Sequence, residues 1–366
     1  MPTPAVPAID SMHHATAANP PPYLSGMDRA QFLALCMQAG AKPLHAERLT
    51  AHIHRHGITD IAHIPELPAP LRTLLASFPA AVPVSGVAEQ ISADGTRKML
   101  LRLPDGRDVE TVYIPGKGRT TQCISTQVGC AIGCSFCLTA TAGLTRNLSA
   151  AEMVAQVEAV RGATGRRARN LVLMGMGEPL HNYEQVAHFV RLATDPLGLA
   201  FSPNRVTVST AGLVPGIRRM MEEELPCNLA VSLNATTDEI RDRIMPINRK
   251  YPLPELLAAL RDYVRIRGGK RVLVEYVMLA GINDAAADAR RLIELMQGLD
   301  CTINLLPFNA FAGSPYARPE DHIVDAFRGL LSEAGFVAVV RESRGRDISA
   351  ACGQLKTESA KRRHNI

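Results

Sequence analysis

The sequence predicts an α/β protein in which a strand–helix repeat follows a small helical module and a β-hairpin segment. Three observations predict it. Short apolar or β-branched runs alternate with helical stretches of 12–20 residues beyond Cys123, Asp-Gly pairs punctuate the segment before them, and a helical apolar period fills the region before that. Residues 1–22 are rich in Pro and Ala without amphipathic period and read as a disordered leader. From Asp28 to about Phe78 the apolar positions Phe32, Leu33, Leu35, Cys36, Leu49, Ile53, Leu71, Leu74 and Leu75 give a helical module, 23–82, broken by Pro65, Pro68 and Pro70. In 83–115, Asp94-Gly95 and Asp105-Gly106 predict hairpin turns. The repeat then occupies 116–355, with a basic tail over 356–366. Its strands are expected at 170–175, 205–210, 229–234, 272–279, 302–308 and 337–342, with helices over Ala150–Arg161, Tyr183–Ala193, Pro254–Arg265, Ala286–Gln297 and Ile323–Ala334. Such alternation implies right-handed βαβ units. Periodicity leaves an open doubly wound sheet and a barrel both in play, and either places ligands at the C-terminal ends of the strands.

Composition narrows the classes. The 366 residues carry 40 Lys+Arg against 35 Asp+Glu and are 46% hydrophobic, which is globular and mildly basic rather than disordered. No apolar run is long enough to span a bilayer, and MPTPAVPAIDSMHHATAANPPPY has neither a basic start nor an apolar h-region, so a cytoplasmic location is expected. Nothing suggests more than a monomer. Trp is absent and aromatics make up 4%, so any nucleic-acid binding leans on charge and shape more than on base stacking.

Eight cysteines stand at 36, 123, 130, 134, 137, 227, 301 and 352, and four of them fall within fifteen positions. That crowding suits metal ligation or redox chemistry better than a disulfide framework. Cys130, Cys134 and Cys137, in CAIGCSFC, put three thiolates on one tight loop and leave a fourth corner of an iron–sulfur cluster open. Zinc is the competing reading and wants a fourth ligand such as Cys123 or a nearby His. The turn Gly175-Met-Gly177-Glu178-Pro179 ends the first clear strand after this loop. A dinucleotide fingerprint would need a third glycine at 180, which is Leu. Cys36, Cys227 and Cys301 read as small buried hydrophobes. His52-Ile-His54-Arg-His56 reads as a solvated or RNA-facing helix edge rather than a metal site. Basic clusters at 166–169, 265–271, 341–346 and 361–363 offer phosphate contacts.

CxxxCxxC opening a βα-repeat chain resembles the radical S-adenosylmethionine (SAM) superfamily. The stretches QVGC (127–130), GLTRNL (143–148), MGMGEPLHN (174–182), VSTAG (208–212), DEIRDRIMPIN (238–248), VEYVML (274–279) and DISAACGQL (347–355) together resemble the RlmN/Cfr family of adenine methyltransferases, and its RlmN branch in particular. The resemblance implies a partial (β/α) TIM-like radical-SAM barrel, a [4Fe-4S] cluster on Cys130, Cys134 and Cys137, and SAM held by Gly177, Glu178, Ser209, Ser232, Leu233, Asn234 and Asn309. It implies methylation of C2 of an adenine in 23S rRNA and/or tRNA with two SAM per turnover, and an electron donor such as a flavodoxin or ferredoxin. Cys352 accepts the first methyl group, and a radical generated from the second SAM abstracts a hydrogen from it. The resulting carbon radical adds to the electrophilic C2. The adduct then loses an electron and the C2 proton, for which Glu110 is the implied acceptor, and Cys123 attacks the Cys352 sulfur to release product through a transient disulfide. Asn234 stands where the family usually has His, and PFNAFAGSPY (307–316) lacks the family's Trp-Asn-Pro context. A different RNA target or adenine position (C8), a radical-SAM enzyme acting on a non-RNA substrate, and a zinc-stabilised RNA-binding protein are the other readings.

Overall fold

The computed structural model of the chain describes residues 22–355 except 59, 117 and 343, so the expected leader up to residue 21 and the basic tail lie outside the described residues. The helical module is built from α1 (Arg29–Gln38), α2 (Pro43–Thr50) and α3 (Ala69–Leu75). Asp28 starts α1 with a reciprocal cap, its Oδ1 accepting Gln31 N–H at 2.9 Å while Gln31 Oε1 accepts Asp28 N–H at 3.0 Å. Leu24, Phe32, Cys36, Leu49, Ile53, Ile64, Leu71 and Leu75 bury against one another as a core of their own.

The two Asp-Gly turns join β1 (Ser85–Ile91), β2 (Arg97–Arg102) and β3 (Asp108–Ile114) into an antiparallel meander. β4 (Thr121–Cys123) pairs antiparallel with β3 on one side and parallel with β7 on the other, so the meander extends the main sheet rather than standing apart from it. Between them in the chain, β5 (Gln127–Gly129) and β6 (Leu144–Asn147) form a separate two-stranded ribbon. The parallel strands run on as β7 (Asn170–Leu173), β8 (Val206–Thr210), β9 (Asn228–Ser232), β10 (Val272–Met278), β11 (Cys301–Pro307) and β12 (Ala338–Val340). The crossovers hold α4 (Ala150–Thr164), α5 (Tyr183–Thr194), α6 (Val214–Glu222), α7 (Asp238–Ile244), α8 (Leu253–Ile266), α9 (Ala286–Met296) and α10 (Asp321–Glu333). The sequence does not announce β4, the β5–β6 ribbon or α7, each too short to show a period, nor α6, whose nine residues carry a Pro and a Gly in the first turn.

Topology decides between the two architectures that periodicity left open. From β4 onward the strand order is sequential, and alternate strand residues Val208, Leu229, Val231, Val274, Tyr276, Ile303 and Leu305 share one core with Val157, Val190, Ile217, Leu260, Leu292 and Phe327 of the helices. Sequential winding with the helices on one face is the winding of a barrel, whereas a doubly wound sheet reverses its order. Among the described residues β1 and β12 remain edges, so the barrel is partial. The intervening residues Ser209, Ser232, Glu275 and Asn304 point to the opposite face, and it is there that the chemistry-bearing side chains collect.

Candidate active site

The three-cysteine loop hangs between β5 and β6. Cys130 N–H donates to Gly143 O at 3.0 Å, closing the loop at its base. Gly129 there has φ 81°, and a Cβ on it would lie 1.8 Å from Gly143 O, so only glycine lets the two limbs meet. Ile132 and Phe136 anchor the loop in an apolar cluster with Ala235, Ile244, Met245, Leu279 and Phe308, against which all three cysteines pack. Burial pushes the Cys130 thiol up to about 12, helped by the Glu178 and Cys137 charges, and burial with Cys137 and Cys130 holds Cys134 well above its usual range. Clustered buried thiols that repel one another's charge are donors that a cation must deprotonate and stabilise. Soft thiolates suit iron–sulfur chemistry.

The turn after β7 docks on the segment leading into this loop. Thr126 N–H and Gln127 N–H donate to Met176 O at 2.8 and 3.1 Å, and Glu178 N–H donates to Gln127 Oε1 at 2.8 Å. Gly177 has φ 108°, and a Cβ on it would lie 2.6 Å from Gln127 Cβ, so the close approach requires glycine. The buried Glu178 carboxylate accepts Leu180 N–H at 3.0 Å and Ala211 N–H at 2.7 Å. Burial nonetheless pushes it up to about 7.

Ser209 lies on β8 and Ser232 ends β9, both part-exposed on the polar face of the sheet, and Asn309 is half-buried just after β11. Leu233 is fully buried and offers its backbone. Asn234, 1% exposed at φ 59°, is engaged at both ends of its amide, accepting Val277 N–H at 2.8 Å and donating to Met245 Sδ at 3.1 Å. A role for it toward a ligand therefore runs through the backbone it fixes.

Cys123 ends β4 and buries in a cluster with Val112, Met176, Ala350 and Leu355, the last two flanking Cys352 in sequence. Burial, with the Cys352 charge added, raises its thiol well above the ordinary value. Cys352 itself is reached by solvent, yet enclosing protein pushes its thiol up to about 11, with the Glu275 carboxylate adding to the effect. Gly353 O, one residue on, accepts Leu138 N–H at 2.7 Å, and Thr139 Oγ1 donates to Leu355 O at 2.6 Å, which ties the Cys352 strap to the cysteine loop. Upstream, Asp347 accepts Ser92 Oγ at 2.6 Å, and Lys98 Nζ donates to Ser349 O at 3.3 Å. The same Lys98 lies 3.4 Å from buried Glu110 Oε1. The distant Cys123, Glu110, Cys352 and cysteine loop thus meet at one end of the parallel strands.

Elsewhere, Cys36 and Cys227 are fully buried and Cys301 is 7% exposed, as expected of apolar thiols. Within the histidine run one residue corrects expectation, while His52 is part-exposed and His56 exposed. His54 is buried with Nε2 on Met27 O at 2.8 Å, because this turn faces the module's core and not solvent. Arg167 also points inward, to Glu158 Oε1 at 2.7 Å. Arg241 escaped the sequence reading, its only signal being a cation amid the apolar positions of a short helix.

An incomplete parallel barrel with three clustered thiols beside a glycine–glutamate turn defines a radical SAM enzyme, and residues 124–293 match the Radical SAM superfamily. A radical SAM methyltransferase from Sphaerobacter thermophilus superposes with TM-score 0.84 at 43% identity over 92% of this chain and 99% of that one. The dual-specificity RNA methyltransferase RlmN of Rhodospirillum rubrum is 48% identical over 95% of this chain and 83% of its own. That of Cereibacter sphaeroides is 45% identical over 94% and 91%. The chain belongs to the RlmN family of radical SAM methyltransferases. A [4Fe-4S] cluster and SAM are that family's cofactors. No helix among the described residues is long and apolar enough to cross a membrane.

Proposed function

We propose that this radical SAM RNA methyltransferase methylates C2 of an adenine in 23S rRNA and/or tRNA through a methylated Cys352. The observation that carries this reading is the hydrogen bond from Leu138 N–H to Gly353 O, which holds the residue after Cys352 against the residue after Cys137. A methyl group on Cys352 then lies beside the cofactors that Cys130, Cys134 and Cys137 would hold. When bound, the cluster and SAM supply the methyl group and the one-electron chemistry that converts it to a carbon-centred radical. Glu178 orients SAM by pairing its carboxylate with the methionine ammonium, while Gly177, Ser209, Ser232, Leu233 and Asn309 line the same end of the strands and Asn234 fixes the backbone there.

Two thiols are required because C2 of adenine is electrophilic, so a sulfonium cannot methylate it directly. The methylene on Cys352 bonds to C2, and the adduct gives up one electron, to the oxidised cluster that Cys130, Cys134 and Cys137 would hold, and the C2 proton, which Glu110 accepts with Lys98 beside it. Cys123 then attacks the Cys352 sulfur as a thiolate. The Cys123–Cys352 bond forms, the sulfur–carbon bond breaks, and the carbon takes up a proton as the methyl product leaves. An electron donor of the flavodoxin or ferredoxin kind serves the cluster, and the enzyme works as a monomer in the cytoplasm, its helical module (23–82) presenting RNA to the core (116–355) and the meander (83–115) carrying Glu110 between them. The test is nucleoside mass spectrometry of 23S rRNA fragments and of total tRNA after anaerobic turnover. We expect 2-methyladenosine with the native chain and none with Cys352→Ala. A variant that still methylates overturns the reading.

A further inference from the structure

Arg241 is fully buried in α7, in the gap between the ends of β8 and β9 and the cysteine loop. Its guanidinium donates to Leu233 O at 2.9 Å, Ala211 O at 2.7 Å, Ser232 O at 3.2 Å and Asn248 Oδ1 at 2.9 Å. Asn248 is braced in turn by Asp238 and Asp242, at 2.9 and 2.7 Å. Among the described residues no carboxylate touches the guanidinium directly, so a full positive charge is kept inside on neutral carbonyls, an expensive arrangement unless the charge itself is used. The C-terminal end of the same helix faces the cysteine loop, where Ile244 O accepts Ser135 N–H at 3.0 Å between Cys134 and Cys137. Cys134, Asp238 and Asp242 are the groups whose negative charge this cation feels, and a metal-bound thiolate at Cys134 would be offset by it. Burial holds the guanidinium down to about 10, and Cys134 is the first group opposing that.

We infer that Arg241 is a positioning residue for both halves of the site: its fork fixes the Ala211, Ser232 and Leu233 carbonyls that shape the SAM rim, and its charge offsets that of the cluster. The inference rests on Cys130, Cys134 and Cys137 holding the cluster. Fork and charge are separable by substitution, because lysine keeps the charge but cannot span the carbonyls, and glutamine is neutral. Adding an electron makes the cluster more negative, so a nearby cation favours the reduced form.

The test uses the full chain, anaerobically reconstituted, as Arg241→Gln and Arg241→Lys beside the native protein. Iron and sulfide content, midpoint potential by spectroscopic redox titration, and SAM affinity by equilibrium dialysis are measured. Arg241→Gln should shift the midpoint to more negative potential and weaken SAM binding about tenfold, the order expected for a lost charge-assisted hydrogen bond. Arg241→Lys should keep the native potential while losing similar SAM affinity. Native potential in the glutamine variant, or native SAM affinity in the lysine variant, overturns the inference. Should the glutamine variant fail to assemble, the lysine variant decides: native potential with weakened SAM supports it, and any other pair overturns it. A native protein without iron and sulfide sinks the cluster reading itself, a separate failure.

Discussion

Glu178 shows how one side chain couples the ligand to pH. Its partners are backbone N–H groups and the Thr210 hydroxyl, and burial leaves the carboxyl at about 7, so near neutrality a substantial fraction is protonated. In the proposed site the ammonium group of SAM binds the ionised form. Affinity for SAM should therefore be fullest above about pH 7 and fall as pH drops through that value, by up to about tenfold per unit. Glu178→Gln should bind weakly with a flat profile, and dialysis at pH 5.5, 6.5 and 7.5 checks both. Cys352 obeys the opposite constraint. Its thiol, at about 11, must lose a proton before it can accept a methyl group, so self-methylation of the loaded enzyme should accelerate as pH rises from 7 to 9. Mass spectrometry of the Cys352 peptide after single turnover reads this, and a rate flat in pH would show that another step governs it. The three loop cysteines were legible in the sequence because their chemistry shows in residue type and spacing, whereas Glu178 and Cys352 received their roles only through the family resemblance. Arg241 was not legible, since a charged residue in a helix usually faces water and nothing local announces that this one faces inward.

At the scale of elements, the strap that carries Cys352 is held at both ends. Upstream it is fixed by Asp347 on the β1–β2 turn, where Gly345 N–H also donates to Asp94 Oδ2 at 3.1 Å. Downstream it is fixed to the cysteine loop at residues 138 and 139. Lys98 links this strap to β3 by touching Ser349 O and Glu110. Lys98→Met should leave SAM cleavage to 5′-deoxyadenosine intact while RNA methylation drops by about a hundredfold, the scale of a displaced general base. Quantifying both products in one reaction checks it, and parallel losses would place Lys98 in folding instead. The helices α5, α8, α9 and α10 and the two Asp-Gly turns were readable because each carries its own signal, a 3.6-residue period or a glycine in the left-handed region. The three-residue strands β4 and β5 were not, since a strand of that length has no period and forms only when β3, β6 and β7 supply its partners.

For the whole molecule, the helical module is docked on the barrel through few polar ties. Arg167 donates to His54 O and to Glu158, Arg161 donates to His56 O at 3.0 Å, and His188 Nε2 lies 2.8 Å from Gly26 O. Arg167→Ala should lower stability by about 1–3 kcal/mol, the cost of stranding the carbonyl of buried His54. It should also raise the KM for RNA with little change in SAM affinity. Thermal unfolding and RNA titration test the two parts, and an unchanged KM would remove the module from substrate presentation. Taken by itself, the sequence determined the α/β class, the order of its parts, the cysteine loop, the glycine–glutamate turn and the family, because these depend on residues near one another in the chain or on a pattern spread along it. The family resemblance implied the incomplete barrel and the joint action of Cys123, Glu110 and Cys352, but only the tertiary structure gave the strand pairing that closes the sheet that far and the inward facing of His54 and Arg241. Those outcomes follow from which strands pair and which faces are covered, and pairing is a contest among distant segments that no local stretch encodes.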